Sequence, residues 1–249
     1  MNRVKTKLQK GEVTIGSWIQ LPNPSVAHIM GMAGYDWAAF DLEHGLISPE
    51  ILPALCHALV LGGTVPFARV AQARSKDIKQ ALEAGCQGLI FPMIQSRQEL
   101  EKAISWSCYP PYGTRGVGYS EANLFGKEFD RCVPDSVLDM VFVAQIENTA
   151  ALESIEEILS VERLDAIIVG PYDLSASMGL TARFDHPDFL AAMDRIESAA
   201  KAAGIPMGTH IVQPAPEMLR QRIEDGHRFI AYGVDTVFLW RGAQRPESE

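Results

Sequence analysis

From end to end, short runs of β-branched, small and aromatic residues alternate with longer stretches of helical spacing. That alternation constrains the fold more than any other feature. Strands separated by helices pair in parallel, and a parallel sheet has to be covered by those helices. Eight runs read as strands: Thr14–Gln20, Trp37–Glu43, Val65–Val70, Gly88–Ile94, Phe142–Glu147, Ala166–Gly170, Pro206–Ile211 and Phe229–Gly233. The intervening pattern predicts helices over Ser25–Ala33, Pro49–Leu61, Lys76–Ala84, Arg97–Ser107, Thr149–Leu159, Asp188–Ala203 and Glu217–Glu224, with Asp235–Trp240 as the eighth. Gly34, Gly62, Gly85, Gly204 and Gly226 follow these helices, where a left-handed C-cap suits a residue without Cβ. Eight strand–helix units in 249 residues predict an α/β chain folded as a (β/α)8 TIM barrel, one domain over 1–249. An open doubly wound sheet is the alternative. It would carry a glycine-rich phosphate loop after the first strand, where this chain has Leu21-Pro22-Asn23-Pro24. One connection, at about 110–140, is far longer than the rest and leaves from the bottom of the barrel. It reads either as a packing loop or as an arm toward a neighbouring subunit.

Composition removes several function classes. Acidic residues outnumber basic ones 31 to 22, giving a formal charge of −9, which argues against nucleic acid as the main partner. No run approaches the roughly 18 apolar residues of a membrane helix, and MNRVKTKLQKGE lacks the apolar core of a signal peptide. Cys56, Cys86, Cys108 and Cys132 are too widely spaced for a zinc or redox motif and read as core thiols of a cytoplasmic protein.

Chemistry in such a barrel sits at the C-terminal ends of the strands. Strand two ends in Asp41-Leu42-Glu43-His44, strand three in Arg69, strand five in Gln145-Ile146-Glu147, and strand six runs into Gly170-Pro171-Tyr172-Asp173. Charges there are costly unless they are paired or meet a ligand. Glu147 and Asp173, with no Cys or His beside them, suit a hard divalent ion such as Mg²⁺ or Mn²⁺. The competing reading makes each of them a helix N-cap. Arg69 needs an anion, either Asp41 or a substrate oxygen. His44 lies beside carboxylates able to set its basicity, and His210 is a second candidate of the same kind. Trp18 reads as core or pocket floor. None of the eight lysines ends a strand, which argues against Schiff-base chemistry and leaves metal-assisted enolate formation.

At these residues the chain resembles the HpcH/HpaI family of metal-dependent, pyruvate-utilising class II aldolases. The resemblance runs along nearly the whole sequence, through GSWIQLPNPSVAHIMGMAGYDWAAFDLEHG, VPFARV, GLIFPM, YPPYGTRGVG, VAQIEN and VGPYDLSASMG. It implies that Glu147 and Asp173 bind the divalent metal (Mg²⁺ or Mn²⁺, with Co²⁺ a further option). It implies His44 as general base and Arg69 as stabiliser of the enolate oxygen. Gln145 and the Gly170–Asp173 turn, including Pro171 and Tyr172, would hold the pyruvate carboxylate, with Trp18 and Asp41 lining the pocket. Glu83 stands where family members carry an Asp that a neighbouring subunit supplies to the histidine. Tyr172 and His210 depart from the family pattern, replacing a small and an apolar residue. The expected activity is reversible cleavage of a 4-hydroxy-2-oxo acid to pyruvate and an aldehyde. Oxaloacetate decarboxylation, CoA-thioester cleavage and a non-enzymatic oxo-acid sensor remain alternatives. The family also implies a homo-oligomer, hexamer or trimer, with the C-terminal stretch Val234–Trp240 as the element available for exchange.

Overall fold

Parallel pairing runs unbroken around the sheet: β1 Thr14–Ile19, β2 Trp37–Asp41, β3 Val65–Arg69, β4 Gly88–Phe91, β5 Val141–Ile146, β6 Ala166–Val169, β7 Met207–Ile211 and β8 Phe229–Val234 close in sequence order, with β8 back on β1. All eight predicted strands are present, several trimmed where the chain turns into the loops of the upper rim. The structure, a computed structural model, describes residues 2–130 and 139–245. Cys132 and the middle of the predicted long connection lie outside the described residues.

The outer layer holds α2 Pro24–Met32, α3 Leu52–Leu61, α4 Ser75–Glu83, α5 Arg97–Ser107, α6 Thr149–Glu153, α7 Ile155–Leu159, α8 Pro171–Ser177, α9 Pro187–Ala203, α10 Pro216–Glu224 and α11 Asp235–Gly242. The predicted helix over Thr149–Leu159 is interrupted at Ser154, which leaves helical geometry (φ −101°, ψ 17°). Gly62 is not a left-handed cap either, since its φ is −74° and Gly63 carries the positive φ. Gly62 is small because α2 and α3 touch there: an added Cβ would lie 2.6 Å from the Gly31 Cα.

One helix was not foreseen. Before β1, α1 (Arg3–Gln9) lies across the bottom of the barrel. Asn2 donates to the Gln87 carbonyl, Lys5 Nζ to that of Met140, and Arg3 to those of Tyr35 and Asp36, all just ahead of strands. Val4 and Leu8 of α1 join Trp37, Phe67 and Phe229 in one buried cluster inside the strands. The Trp37 and Phe229 rings stack with centroids 4.2 Å apart, and Phe67 lies 5.4 Å from Trp37. Room for them comes from Gly16 and Gly88, where a Cβ would run into Trp37 and Phe67. Rings of this size bury about 150–250 Å² each, or about 4–6 kcal/mol of apolar burial apiece. The lower half of the barrel interior is thus a packed aromatic plug, and the space open at the C-terminal ends of the strands lies above it.

Candidate active site

Asp41 and Arg69 end neighbouring strands and are paired in register. Arg69 Nε donates to Asp41 Oδ1 at 3.0 Å and Nη2 to Oδ2 at 2.8 Å, a two-pronged fit that fixes the guanidinium plane. Asp41 is 1% exposed. It also accepts from Gln20 Nε2 and from the backbone N–H groups of Glu43 and His44. Burial alone would raise its pKa, but the hydrogen bonds and charge of Arg69, helped by Gln20, hold the carboxyl below the usual range. Both oxygens are consumed, so Asp41 positions Arg69 rather than meeting substrate. It also touches the backbone of His44, not the imidazole, which corrects the expectation that it tunes that ring. Arg69 lies over the Trp18 ring, 4.5 Å from its centroid, with Nη1 unengaged among the described residues.

Three further carboxylates gather at this rim: Glu43, in contact with Arg69, and Glu147 and Asp173 beyond it. Glu147, 2% exposed, accepts from the Met93 backbone N–H at 2.6 Å and from Gln145 Nε2. It has no cationic side chain as partner among the described residues. Burial, with the charges of Glu43 and Asp173 added, pushes its carboxyl up. Glu43 is raised in the same way: burial is the main cause, and Asp41 and Asp173 outweigh part of the relief from Arg69, whose Nε is 3.3 Å away. Neither metal candidate is a cap. Asn148 caps α6 through the Ala151 N–H, and Gly170 is the N-cap of α8, with Asp173 in its first turn. Gly170 is glycine because Glu147 presses on it; a Cβ would lie 2.8 Å from Oε2.

A cavity of about 290 Å³ is lined by Trp18, His44, Arg69, Gln145, the Gly170–Asp173 turn and His210, together with Ile168, Val169 and Val212. His44 and Tyr172 mark its mouth, with the His44 side chain 59% and Tyr172 57% exposed. His44 Nε2 is 4.0 Å from Glu43 Oε2. His210 sits deeper, its ring 5.6 Å from that of Trp18, and burial lowers its pKa to about 4. Among the predicted site residues only Glu83 is elsewhere. It closes α4 at the opposite end of the barrel, 3.8 Å from Lys79, so within one chain it has no part in the cavity.

Two participants lie outside the expected set, and a third makes more contacts than expected. Gln20, a polar residue right after β1, steadies Asp41 and could have been found by listing that strand's end. Glu43, expected as a neighbour able to set the basicity of His44, lies 4.0 Å from that ring and also 3.3 Å from Arg69 Nε. Met93, which donates to Glu147 from a left-handed backbone (φ 55°), carries no side-chain signal at all.

The profile of the HpcH/HpaI aldolase/citrate lyase family matches residues 14–241. The chain belongs to that family. Among curated proteins it is 36% identical to the 2-keto-3-deoxy-L-rhamnonate aldolase of Escherichia coli (strain K12), over 95% of this chain and 88% of that protein. Among solved structures, an HpcH/HpaI aldolase/citrate lyase family protein of Burkholderia cenocepacia J2315 superposes with a TM-score of 0.91 at 30% identity, covering 97% of this chain and 96% of that one. The HpcH/HpaI aldolase of Desulfitobacterium hafniense DCB-2 follows with a TM-score of 0.86 at 26% identity, covering 96% and 92%. This HpcH/HpaI barrel is a class II aldolase, a carbon–carbon lyase acting on small molecules. No helix among its described residues is long and apolar enough to cross a membrane.

Proposed function

We propose that the cavity cleaves a 4-hydroxy-2-oxo acid to pyruvate and an aldehyde, with Mg²⁺ or Mn²⁺ held by Glu147 and Asp173. One observation carries this reading: Glu147 is a buried carboxylate facing two others, with no cationic side chain beside it among the described residues. An uncompensated charge of that kind calls for a counter-ion. Among the described residues no cluster of three or more His, Cys, Asp or Glu stands ready to hold a metal. Mg²⁺ or Mn²⁺ takes one or two carboxylates and completes its shell with water and substrate oxygens. When bound, it supplies a Lewis acid for the oxo group and positive charge for the enolate.

The chain's own residues do the rest. Gln145 and the Tyr172 and Asp173 N–H groups, at the start of α8, hold the substrate carboxylate, and Trp18 floors the pocket. His44, at the mouth, takes the proton of the C4 hydroxyl. The C3–C4 bond breaks, the aldehyde leaves between His44 and Tyr172, and the electron pair becomes the enolate of pyruvate. Arg69, locked by Asp41 with Nη1 to spare, holds the enolate oxygen until C3 is protonated. An electrostatic contact of this kind is worth about 3–4 kcal/mol of barrier. The 2-keto-3-deoxy acid in the name of the E. coli relative has the 2-oxo group and unsubstituted C3 that such a cleavage requires.

The same reading takes the working form to be a homo-oligomer, a hexamer or trimer, in which Glu83 of a neighbouring copy approaches His44. Trp240, 67% exposed on α11, and the exposed Tyr119 and Phe125 of the long connection support contacts between copies. A reducing, cytoplasmic setting agrees with the buried Cys56 and Cys86 thiols, which remain unjoined with Sγ atoms 3.6 Å apart. The test is proton exchange at the pyruvate methyl in D₂O, followed by NMR. Exchange is expected with Mn²⁺, lost on chelation and regained on adding the metal back. Equal rates of exchange and cleavage in stripped and loaded protein would overturn the reading.

A further inference from the structure

His210 is a polar side chain on an inward-facing position of β7, in the wall of the cavity rather than at its mouth. Its neighbours there are the Trp18 ring and, beyond it, the Arg69 guanidinium. Nε2 lies 3.3 Å from the Gly233 carbonyl oxygen. A carbonyl only accepts, so Nε2 must carry the proton. Burial keeps the ring neutral down to about pH 4, so it holds a single N–H. The other nitrogen, Nδ1, is then a bare lone pair. Among the described residues it has no hydrogen-bond partner, and it is not one of the side-chain atoms sealed away from solvent without one. An apolar residue would have filled the same wall without bringing an acceptor into it.

We propose that His210 is a specificity-determining residue that selects substrates bearing a hydroxyl group, Nδ1 accepting the hydrogen bond of that hydroxyl within the cavity. The inference rests on the enolate reading of the same site. The hydroxyl belongs either to the oxo-acid donor, on the carbon that becomes the nucleophile, or to the aldehyde, beside its carbonyl. Both present the same chemistry to Nδ1. A site with an unmet acceptor discriminates against the deoxy analogue, because that analogue strips the nitrogen of water and returns nothing.

The experiment measures two ratios of kcat/KM in the Mn²⁺-loaded protein: glycolaldehyde over acetaldehyde with pyruvate as donor, and hydroxypyruvate over pyruvate with one common aldehyde. Whichever ratio responds to substitution locates the hydroxyl. His210→Phe keeps a ring and removes both nitrogens; it is expected to lower the responding ratio about fivefold, the scale of one neutral hydrogen bond. Two further variants separate recognition from support of the fold. His210→Asn places an amide oxygen near the Nδ1 position and is expected to recover most of the ratio. His210→Gln reaches the Nε2 position, replaces the bond to Gly233 and is expected to leave the ratio low. Rescue by Gln but not Asn, or ratios unmoved in all three variants, would overturn the proposal. Methyl-proton exchange by the unsubstituted protein keeps the two failures apart: without exchange the enolate reading falls, and with exchange but unmoved ratios only the role of His210 falls.

Discussion

The two ends of the barrel are built from the same inward-facing strand positions and solve opposite problems. At the lower end Trp37, Phe67 and Phe229 stack on one another over Val4 and Leu8, with glycines at Gly16 and Gly88 giving the rings their room. The rings themselves need no charged partner, and the buried Lys5–Asp165 pair beside them ties α1 to the strand starts. At the upper end Trp18 lies under a guanidinium, Asp41 spends both oxygens on fixing that guanidinium, and Glu147 is left without a counter-charge. The lower end is close-packed; the upper end is pre-arranged and keeps one electrostatic deficit open. The difference teaches where each kind of damage should appear: in stability below, in turnover above.

The largest expected effect is at the lower end. Trp37→Ala removes the ring at the centre of the stack and should cost about 3–5 kcal/mol in denaturant unfolding, with little change in catalysis by the molecules that remain folded. Next is Arg69→Ala, which should lower turnover about 10²–10³-fold. It will not be neutral for the fold, because Asp41 loses its cation while still buried. A loss of stability larger than that of Trp37→Ala would erase the distinction between the two ends.

A third test uses acid. The depressed pKa of Asp41 gives stability that is present above its ordinary value of 3.8 and fades as pH falls through the lower, folded-state value. Asp41→Asn has no such dependence. The stability gap between wild type and Asp41→Asn, read from urea unfolding, should be about 1.5–3 kcal/mol at pH 7 and should narrow below pH 3.8. A gap that widened in acid would contradict the pairing. The smallest effect is at Gly170, whose added Cβ would crowd Glu147 Oε2. Gly170→Ala should weaken Mn²⁺ binding about 10–100-fold by calorimetry, the range seen when the support of a ligand is disturbed, while thermal unfolding of the metal-free protein changes little.

The barrel was legible because its strands are apolar on both faces and its helices are amphipathic, so the alternation survives as a pattern in one dimension. The interruption at Ser154 was not, since nothing between Thr149 and Leu159 breaks helical spacing. Nor was α1, whose apolar Val4 and Leu8 are too few among lysines and arginine to announce a buried face. In the cavity, Asp41, Arg69, Gln145, Glu147 and Asp173 could be found because polar side chains at strand ends are conspicuous among apolar ones. Their roles were less legible. Asp41 looks like a catalytic acid in a list of residues and becomes an anchor only when its partners are seen. Asp173 and Glu147 look like caps until Gly170 and Asn148 are found in those places. The Met93 N–H depends on a backbone angle, which no residue type encodes.

The position of Trp18 has one more consequence. Its indole is pressed between a guanidinium and an imidazole in the wall of the cavity, whereas Trp37 is sealed in the aromatic plug, Trp106 packs on α5 under the Lys102 ammonium and Trp240 is exposed on α11 within one chain. Any molecule that draws Arg69 or His210 toward itself changes the surroundings of one emitter and leaves the other three nearly untouched. The protein thus carries its own fluorescent gauge of occupancy, and arrival of the oxo acid can be timed by stopped flow without a label.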